Sequence, residues 1–338
     1  MASTKTFVTL GMFIIDEFSY TSFEGETTKA SKSEASTSSI IGGGGTYAAI
    51  GARIWLFPDQ VGMVVDKGYD FPSKIESKLK TYGEEMWFFR PQNEAPTTRA
   101  LNLYTGDHRG FEYLTPRIRI TPRDLSNTKL DRPKMLHFIC SPARASAILS
   151  EAKEQEEWSP ITIYEPIPDR CVPEELPALN RVLPLIDILS PNAEEALSLL
   201  SIPIVQPVRK SSVEEAANRF LQLGAKDVVI IRSGELGAYV LTRRAGGKWF
   251  DPFWTKADTS KIRDVTGAGN SFLGGLSAGL HLANGDVYEA VFYATVSVSF
   301  VIEQSGLPAF TAGANDSVQW NNDSPFRRLE VLKSRRKD

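Results

Sequence analysis

Asp264-Val-Thr-Gly-Ala-Gly-Asn-Ser-Phe-Leu-Gly-Gly-Leu-Ser-Ala-Gly-Leu280 is the stretch that decides how this chain of 338 residues is read. An acid and a tight Gly-Ala-Gly turn give way to an uncharged run of small and apolar residues, which predicts a loop feeding a buried helix. The backbone N–H groups of Gly267, Ala268, Gly269 and Asn270 would then point at one spot, and the helix dipole adds partial positive charge there. A phosphoryl group in transit spreads its negative charge over its oxygens, so preorganised N–H donors suit phosphoryl transfer. Taken alone, the same letters also describe an ordinary helix start, with Asn270 as N-cap and Gly and Ser allowing close helix packing.

The spacing of Asp264, Thr266, Gly267, Ala268, Gly269, Ser271 and Phe272 resembles the hallmark of the ribokinase-like (PfkB) carbohydrate kinases. That resemblance implies an α/β protein: a ribokinase-like three-layer α/β/α sandwich with a mostly parallel sheet and a small or reduced β lid. It also implies ATP and Mg²⁺ as cofactors, and a small hydroxylated substrate. One letter departs, because Asn270 stands where the family has the aspartate that takes the substrate's proton. An amide is not basic near neutral pH, and a positioned general base is worth about 10²–10⁴ in rate. Two readings follow: a kinase of attenuated activity, or an inactive nucleotide-binding pseudokinase or scaffold. If only the base is missing, Asn270→Asp should raise any weak activity.

Further matches lie in order along the chain. Phe7 to Ile15 is a nearly continuous apolar run, read as a first buried strand with Asp16 at its carboxyl end, where ligands gather in open α/β sheets. Asp16 resembles the family's sugar-contacting aspartate; without the resemblance it is a turn acid. Gly42-Gly43-Gly44-Gly45 enters an Ala-rich helix. It matches a dinucleotide fingerprint loosely, with Asp66 as the ribose acid of an NAD-dependent oxidoreductase. The context argues against that, because some 25 polar residues separate the glycines from the first strand. The family alternative is a substrate loop in which Gly42 and Gly43 approach sugar hydroxyls, with Tyr47 replacing the usual asparagine.

Asn192 and Glu195 form a capping-box pattern, and they also resemble the family's Asn-x-x-Glu element, in which the glutamate orients water on Mg²⁺. Ser233-Gly234-Glu-Leu-Gly237 reads equally as a plain hairpin turn or as the family's phosphate-lining and ribose-lining turn. Asp264 is implied to position its loop and to meet a monovalent cation. Glu165-Pro-Ile-Pro-Asp-Arg-Cys171, at a strand end, resembles the fungal maintenance-of-killer-type branch of the family.

The expected layout is a kinase domain over residues 1–313, with lid segments near 17–41 and 96–116, followed by an extension over 314–338. Ser or Thr fills eight of the thirteen positions from Thr27 to Ser39, which points to a mobile loop or a weak lid. Thr97–Tyr104 and Arg109–Leu114 read as a hairpin.

A net charge of −3 and a mean hydropathy of −0.20 fit a soluble globular protein and argue against general nucleic-acid binding. The exception is the basic end, Arg327, Arg328, Lys333, Arg335, Arg336 and Lys337, read as a solvated tail or a nuclear or RNA contact. Cys140 and Cys171 stand far apart, and His108, His137 and His281 are isolated. Neither a disulfide framework nor a zinc site is expected, which favours a cytoplasmic home over a secreted one. No membrane span is expected, and the oligomer is read as monomer or homodimer.

Overall fold

The computed structural model describes residues 4–21, 27–29, 40–105, 108–312 and 318–335. Most of the expected 17–41 lid segment, the boundary expected at 313/314, and Arg336 and Lys337 lie outside the described residues.

In chain order the first strands are β1 (Phe7–Thr9), β2 (Ile14–Thr21), β3 (Thr27–Lys29) and β4 (Ile40–Gly42), followed by helix α1 (Gly44–Arg53). Next come β5 (Val61–Gly68), α2 (Ser73–Lys80), β6 (Trp87–Gln92), β7 (Arg99–Thr105) and β8 (His108–Tyr113). The middle of the chain alternates β9 (Met135–Cys140), α3 (Pro142–Lys153), β10 (Ile161–Pro166), α4 (Leu176–Val182), β11 (Ile188–Leu189), α5 (Ala193–Leu199) and α6 (Lys210–Gln222). The last third holds β12 (Val228–Arg232), β13 (Ala238–Thr242), β14 (Gly246–Phe250), α7 (Ala268–Leu282), α8 (Val287–Val301), β15 (Phe310–Ala312), β16 (Val318–Trp320) and α9 (Pro325–Ser334).

Nine strands form one sheet in the order β14-β13-β12-β11-β10-β9-β1-β5-β6. Pairing is parallel from β12 through β6, and only β13, antiparallel to both β12 and β14, is reversed. The strands alternate with helices, and parallel neighbours need crossovers, so helices cover both faces. Apolar residues of α1, α2, α7 and α8 pack one face, and those of α3 to α6 the other. Small residues let α7 lie close to its neighbours. A Cβ on Gly274 would sit 1.9 Å from the Ala48 carbonyl oxygen, and one on Gly279 would sit 2.7 Å from Ala290. No helix among the described residues is long and apolar enough to cross a membrane.

The apolar run from Phe7 to Ile15 is not one strand. β1 ends at Thr9, and after Ile14 the chain joins a second sheet in which β2 pairs with β3, β4 and β7, and β7 with β8. The break falls where Gly11 abuts Gly45, with a Cβ on Gly11 only 2.6 Å from the Gly45 Cα. Asp16 therefore belongs to this lid sheet, two residues into β2 rather than at the end of a core strand. The expected hairpin is β7 and β8.

As far as Arg335, the basic end is folded rather than a solvated tail. Trp320 is fully buried and stacks on Tyr82 at 5.8 Å, and Arg328, 3% exposed, lies inside the body against α8. Arg327 pairs with Asp323, and Lys333 with Glu289. A helix with an apolar face and satisfied cations docks as part of the domain.

Candidate active site

The turn before α7 bends as its glycines allow. Gly267 has φ 76°, the left-handed region that favours glycine, and it is the N-cap of α7, so the expected cap at Asn270 is corrected. Asp264 holds the turn by accepting from the Thr266 N–H at 2.9 Å and from the Ser305 hydroxyl at 3.1 Å. Of the four expected donors, Ala268 is already bonded to the Val265 carbonyl at 3.1 Å. The N–H groups of Gly267, Gly269 and Asn270 keep no such partner among the described residues. Three unpaired donors at a helix N-terminus form a concavity suited to an anion.

Asn270 points inward, and its side-chain amide donates to Glu165 Oε2 at 2.8 Å. Glu165 is buried at the end of β10, and its other oxygen meets the Arg232 guanidinium at 2.8 Å. Fully buried His137 accepts from or donates to Thr9 through Nδ1 at 2.9 Å and turns Nε2 to within 3.7 Å of Glu165. Burial alone would raise the Glu165 carboxyl, but Arg232, His137 and the Asn270 amide outweigh it and hold it below its ordinary value. This cluster was not legible in the chain, because its members come from β1, β9, β10, β12 and α7. The Glu165-Pro strand end was the one local signal.

Arg232 ties the second group to the first. A Cβ on Gly269 would stand 1.9 Å from Arg232 Nη1, so the glycine exists to let the guanidinium cover the turn. Its Nε is buried with no partner among the described residues. Asn192 and Glu195 close the capping box on α5 at 2.8 and 2.7 Å, and Glu195 Oε2 lies 3.7 Å from Arg232. Gly234 (φ 54°) and Gly237 (φ 85°) turn the chain between β12 and β13, so this turn is a hairpin connection that begins immediately after Arg232.

Burial pushes the Glu195 carboxyl up to about 7, despite the Arg232 charge. A carboxyl with a higher pKa folded than unfolded binds more protons in the native state, so its contribution to stability falls as pH rises from the ordinary 4.5 toward 7. Glu165, shifted the other way, loses its contribution only as pH falls below that ordinary range. Replacing Glu195→Gln keeps an acceptor at the cap. It is expected to flatten the decline in urea stability between about pH 5 and pH 8. An unchanged slope would show that Glu195 ionises freely.

A cavity of about 770 Å³ beside the turn is lined by Asp16, Gly43, Gly44, Tyr47, Glu165, Thr266, Gly267 and Asn270 among others. Gly42 packs on the Asp16 carboxylate, and a Cβ on Gly44 would lie 3.1 Å from the Asn270 side chain. The Tyr47 ring covers Gly267, whose Cβ would fall 2.1 Å from its Cγ. Of the expected residues, Asp16, Gly43 and Tyr47 share this cavity with Thr266, Gly267 and Asn270, whereas Gly42, Ala268 and Gly269 are not in its lining. Asn192, Glu195, Arg232, Ser233, Gly234 and Gly237 lie outside its lining, and Arg232 meets it through its pair with Glu165.

The dinucleotide reading fails. The glycines follow the lid strand β4, not β1, and Asp66 is held by Arg90 at 2.6 Å and by Gln92 at 2.7 Å. Both cysteines are free and buried, and burial pushes the Cys140 thiol up to about 12, which makes it a poor nucleophile. Among the described residues, no group of three or more His, Cys, Asp or Glu side chains gathers to hold a metal ion directly.

A mostly parallel nine-stranded sheet between two helical layers, with a glycine-lined helix start over the ends of β10 and β12, defines a ribokinase-like α/β protein. The model for pfkB family carbohydrate kinase matches residues 7–311, and the chain belongs to that family. It is 34% identical to an uncharacterized protein of Schizosaccharomyces pombe, over 96% of this chain and 91% of that protein. It is 31% identical to Protein MAK32 of Saccharomyces cerevisiae, over 98% and 93%. Among solved structures it resembles a putative ribokinase II of Escherichia coli in complex with ATP and Mg²⁺, with a TM-score of 0.64. The two are 17% identical, and the match covers 98% of this chain and 100% of that one.

Proposed function

We propose that this protein transfers the terminal phosphoryl group of ATP to a hydroxyl of a small carbohydrate or nucleoside, at a rate reduced by the amide at position 270. The observation that supports this most is the turn before α7, where the Gly267, Gly269 and Asn270 N–H groups are unpaired among the described residues, the Arg232 guanidinium covers Gly269, and Gly267 and Asn270 line the Asp16 cavity. The unpartnered Arg232 Nε and the unpaired Gly267, Gly269 and Asn270 N–H groups fit a phosphate. Gly267, Gly269 and Asn270 would hold the transferring group through their N–H groups. Ser233, Gly234 and Gly237 would line the rest of the nucleotide. Glu195, beside Asn192, would hold a Mg²⁺ ion through water, and that ion would neutralise charge on the phosphates. Asp264 keeps the turn in shape, and a monovalent cation near it is part of the same proposal.

Asp16, Gly42, Gly43 and Tyr47 would orient the acceptor hydroxyl. The carboxylate nearest the base position is Glu165, at 2.8 Å from the Asn270 amide and in the cavity wall. Glu165 would take the proton, and its pair with Arg232 would make it a weak base. Calorimetry is expected to show ATP binding in the presence of Mg²⁺, with turnover well below the roughly 10 s⁻¹ ordinary for enzymes. No nucleotide binding would defeat the reading, and turnover at that ordinary rate would defeat the attenuation.

A second reading is a nucleotide-binding protein without catalysis. It is favoured by the engagement of the Asn270 amide with Glu165, which leaves no free base at the turn. A bound nucleotide with no phosphoryl transfer to any acceptor, and no gain from restored basicity, would select it.

A further inference from the structure

The cavity wall holds more positive charge than a neutral sugar needs. Arg117, Arg119, Arg144 and Arg170 all line it, against the carboxylates of Asp16, Glu165 and Asp169. Glu165 is met by Arg232, and Arg170 by Glu175 at 3.2 Å. Arg117 lies over the Tyr113 ring at 4.7 Å. Among the described residues Arg119 and Arg144 form no ion pair with a carboxylate, although Arg144 donates to the Ile120 carbonyl at 2.9 Å. Burial and the neighbouring Arg119 charge together hold Arg144 below the usual guanidinium range. Exposed Arg119 and half-buried Arg144 thus place two like charges in one wall, only partly offset at Arg144 by Glu151 and Asp124, and an anion bound there would relieve their repulsion. The twelve-residue helix α3 begins at the same place, with its N-cap Ser141 and Cys140 in the lining, and it adds the positive end of its dipole.

We propose that the acceptor is itself anionic, a phosphorylated sugar or a sugar acid. Its charged group is bound by Arg119, Arg144 and the start of α3, and its free hydroxyl faces Asp16 and Asn270. This rests on the phosphoryl-transfer reading and names its substrate class. The reaction then moves the phosphoryl group of ATP onto that hydroxyl oxygen, releasing ADP, and the hydroxyl proton goes to Glu165. A planar guanidinium binds phosphate or carboxylate through paired N–H groups, which distinguishes either from a neutral hydroxyl.

The test is calorimetry on the full chain with a non-hydrolysable ATP analogue saturating the nucleotide site. Ribose, ribose 5-phosphate, glucose, glucose 6-phosphate and gluconate are titrated in turn into wild type and into Arg119→Gln. At least one anionic sugar should bind about tenfold or more tightly than its neutral parent, because charge-assisted bonds contribute more than neutral ones. Preference for the phosphates over gluconate, or the reverse, identifies the anion. Arg119 is exposed, so its replacement should leave folding and analogue affinity unchanged while erasing most of the preference. Neutral sugars binding as tightly as anionic ones, no binding by any anionic sugar, or a preference that survives Arg119→Gln would each overturn the proposal. Failure of wild type to bind the analogue would strike the kinase reading and this assignment together. Analogue binding without anionic preference would strike this assignment alone.

Discussion

The double variant Glu165→Gln/Asn270→Asp is expected to transfer phosphoryl groups at least about a hundredfold faster than wild type, within the range assigned to a positioned general base. Asn270→Asp alone should gain much less. The new carboxylate would stand where the Asn270 amide now bonds to Glu165 at 2.8 Å, and two carboxylates at that separation share one proton. Sequence alone suggests that the single change is enough; the position of Glu165 revises that expectation. Replacing Glu165 by Gln leaves Arg232 with Glu195 as its remaining acidic neighbour, at 3.7 Å, and the new aspartate free to ionise. Glu165→Gln without the second change should abolish whatever activity wild type has. The assay is ADP release with whichever sugar binds, with nucleotide affinity measured beside it. A double variant no faster than wild type, with ATP binding retained, would place the limitation in the acceptor pocket rather than at the base.

Arg328→Ala is expected to cost about 3–5 kcal/mol of stability, the scale for removing one partner of a buried ion pair. Arg328 bonds Glu303 at 2.9 Å, Asp323 at 2.8 Å and the Ser299 hydroxyl at 2.9 Å, and its guanidinium lies 3.8 Å from the Phe300 ring centre. Asp323 keeps Arg327, but Glu303 loses its only ion-pair partner among the described residues. The change also removes the buried link from α9 to α8, leaving the Lys333–Glu289 pair, so the loss should appear in the main unfolding transition rather than as fraying of the end. Urea denaturation followed by fluorescence reads it. A loss below about 1 kcal/mol, the scale of a surface pair, would mean that this segment is not part of the cooperative domain.

The parts of the site that are local in sequence were legible. The Gly267 turn, the Asn192 capping box and the hairpin of β7 and β8 depend on residues a few positions apart, and turn and cap chemistry act over that range. The order of strands and helices was readable from apolar runs for the same reason. Long-range contacts were not. Asn270 meets Glu165 across 105 positions, and no periodicity announces that pair. The division of Phe7–Ile15 between two sheets turned on the contact of Gly11 with Gly45, which an apolar pattern does not encode. The basic end misled because composition predicts solvation, whereas Arg328 is buried by its partners and by the rings around it.

The account depends on a phosphate lying against the turn before α7. A crystal soaked with ATP and Mg²⁺ tests this directly. The terminal phosphate is expected within hydrogen-bond distance of the Gly267, Gly269 and Asn270 N–H groups and beside Arg232. Nucleotide found elsewhere, or those N–H groups still unbonded in a crystal that holds the nucleotide, would contradict it.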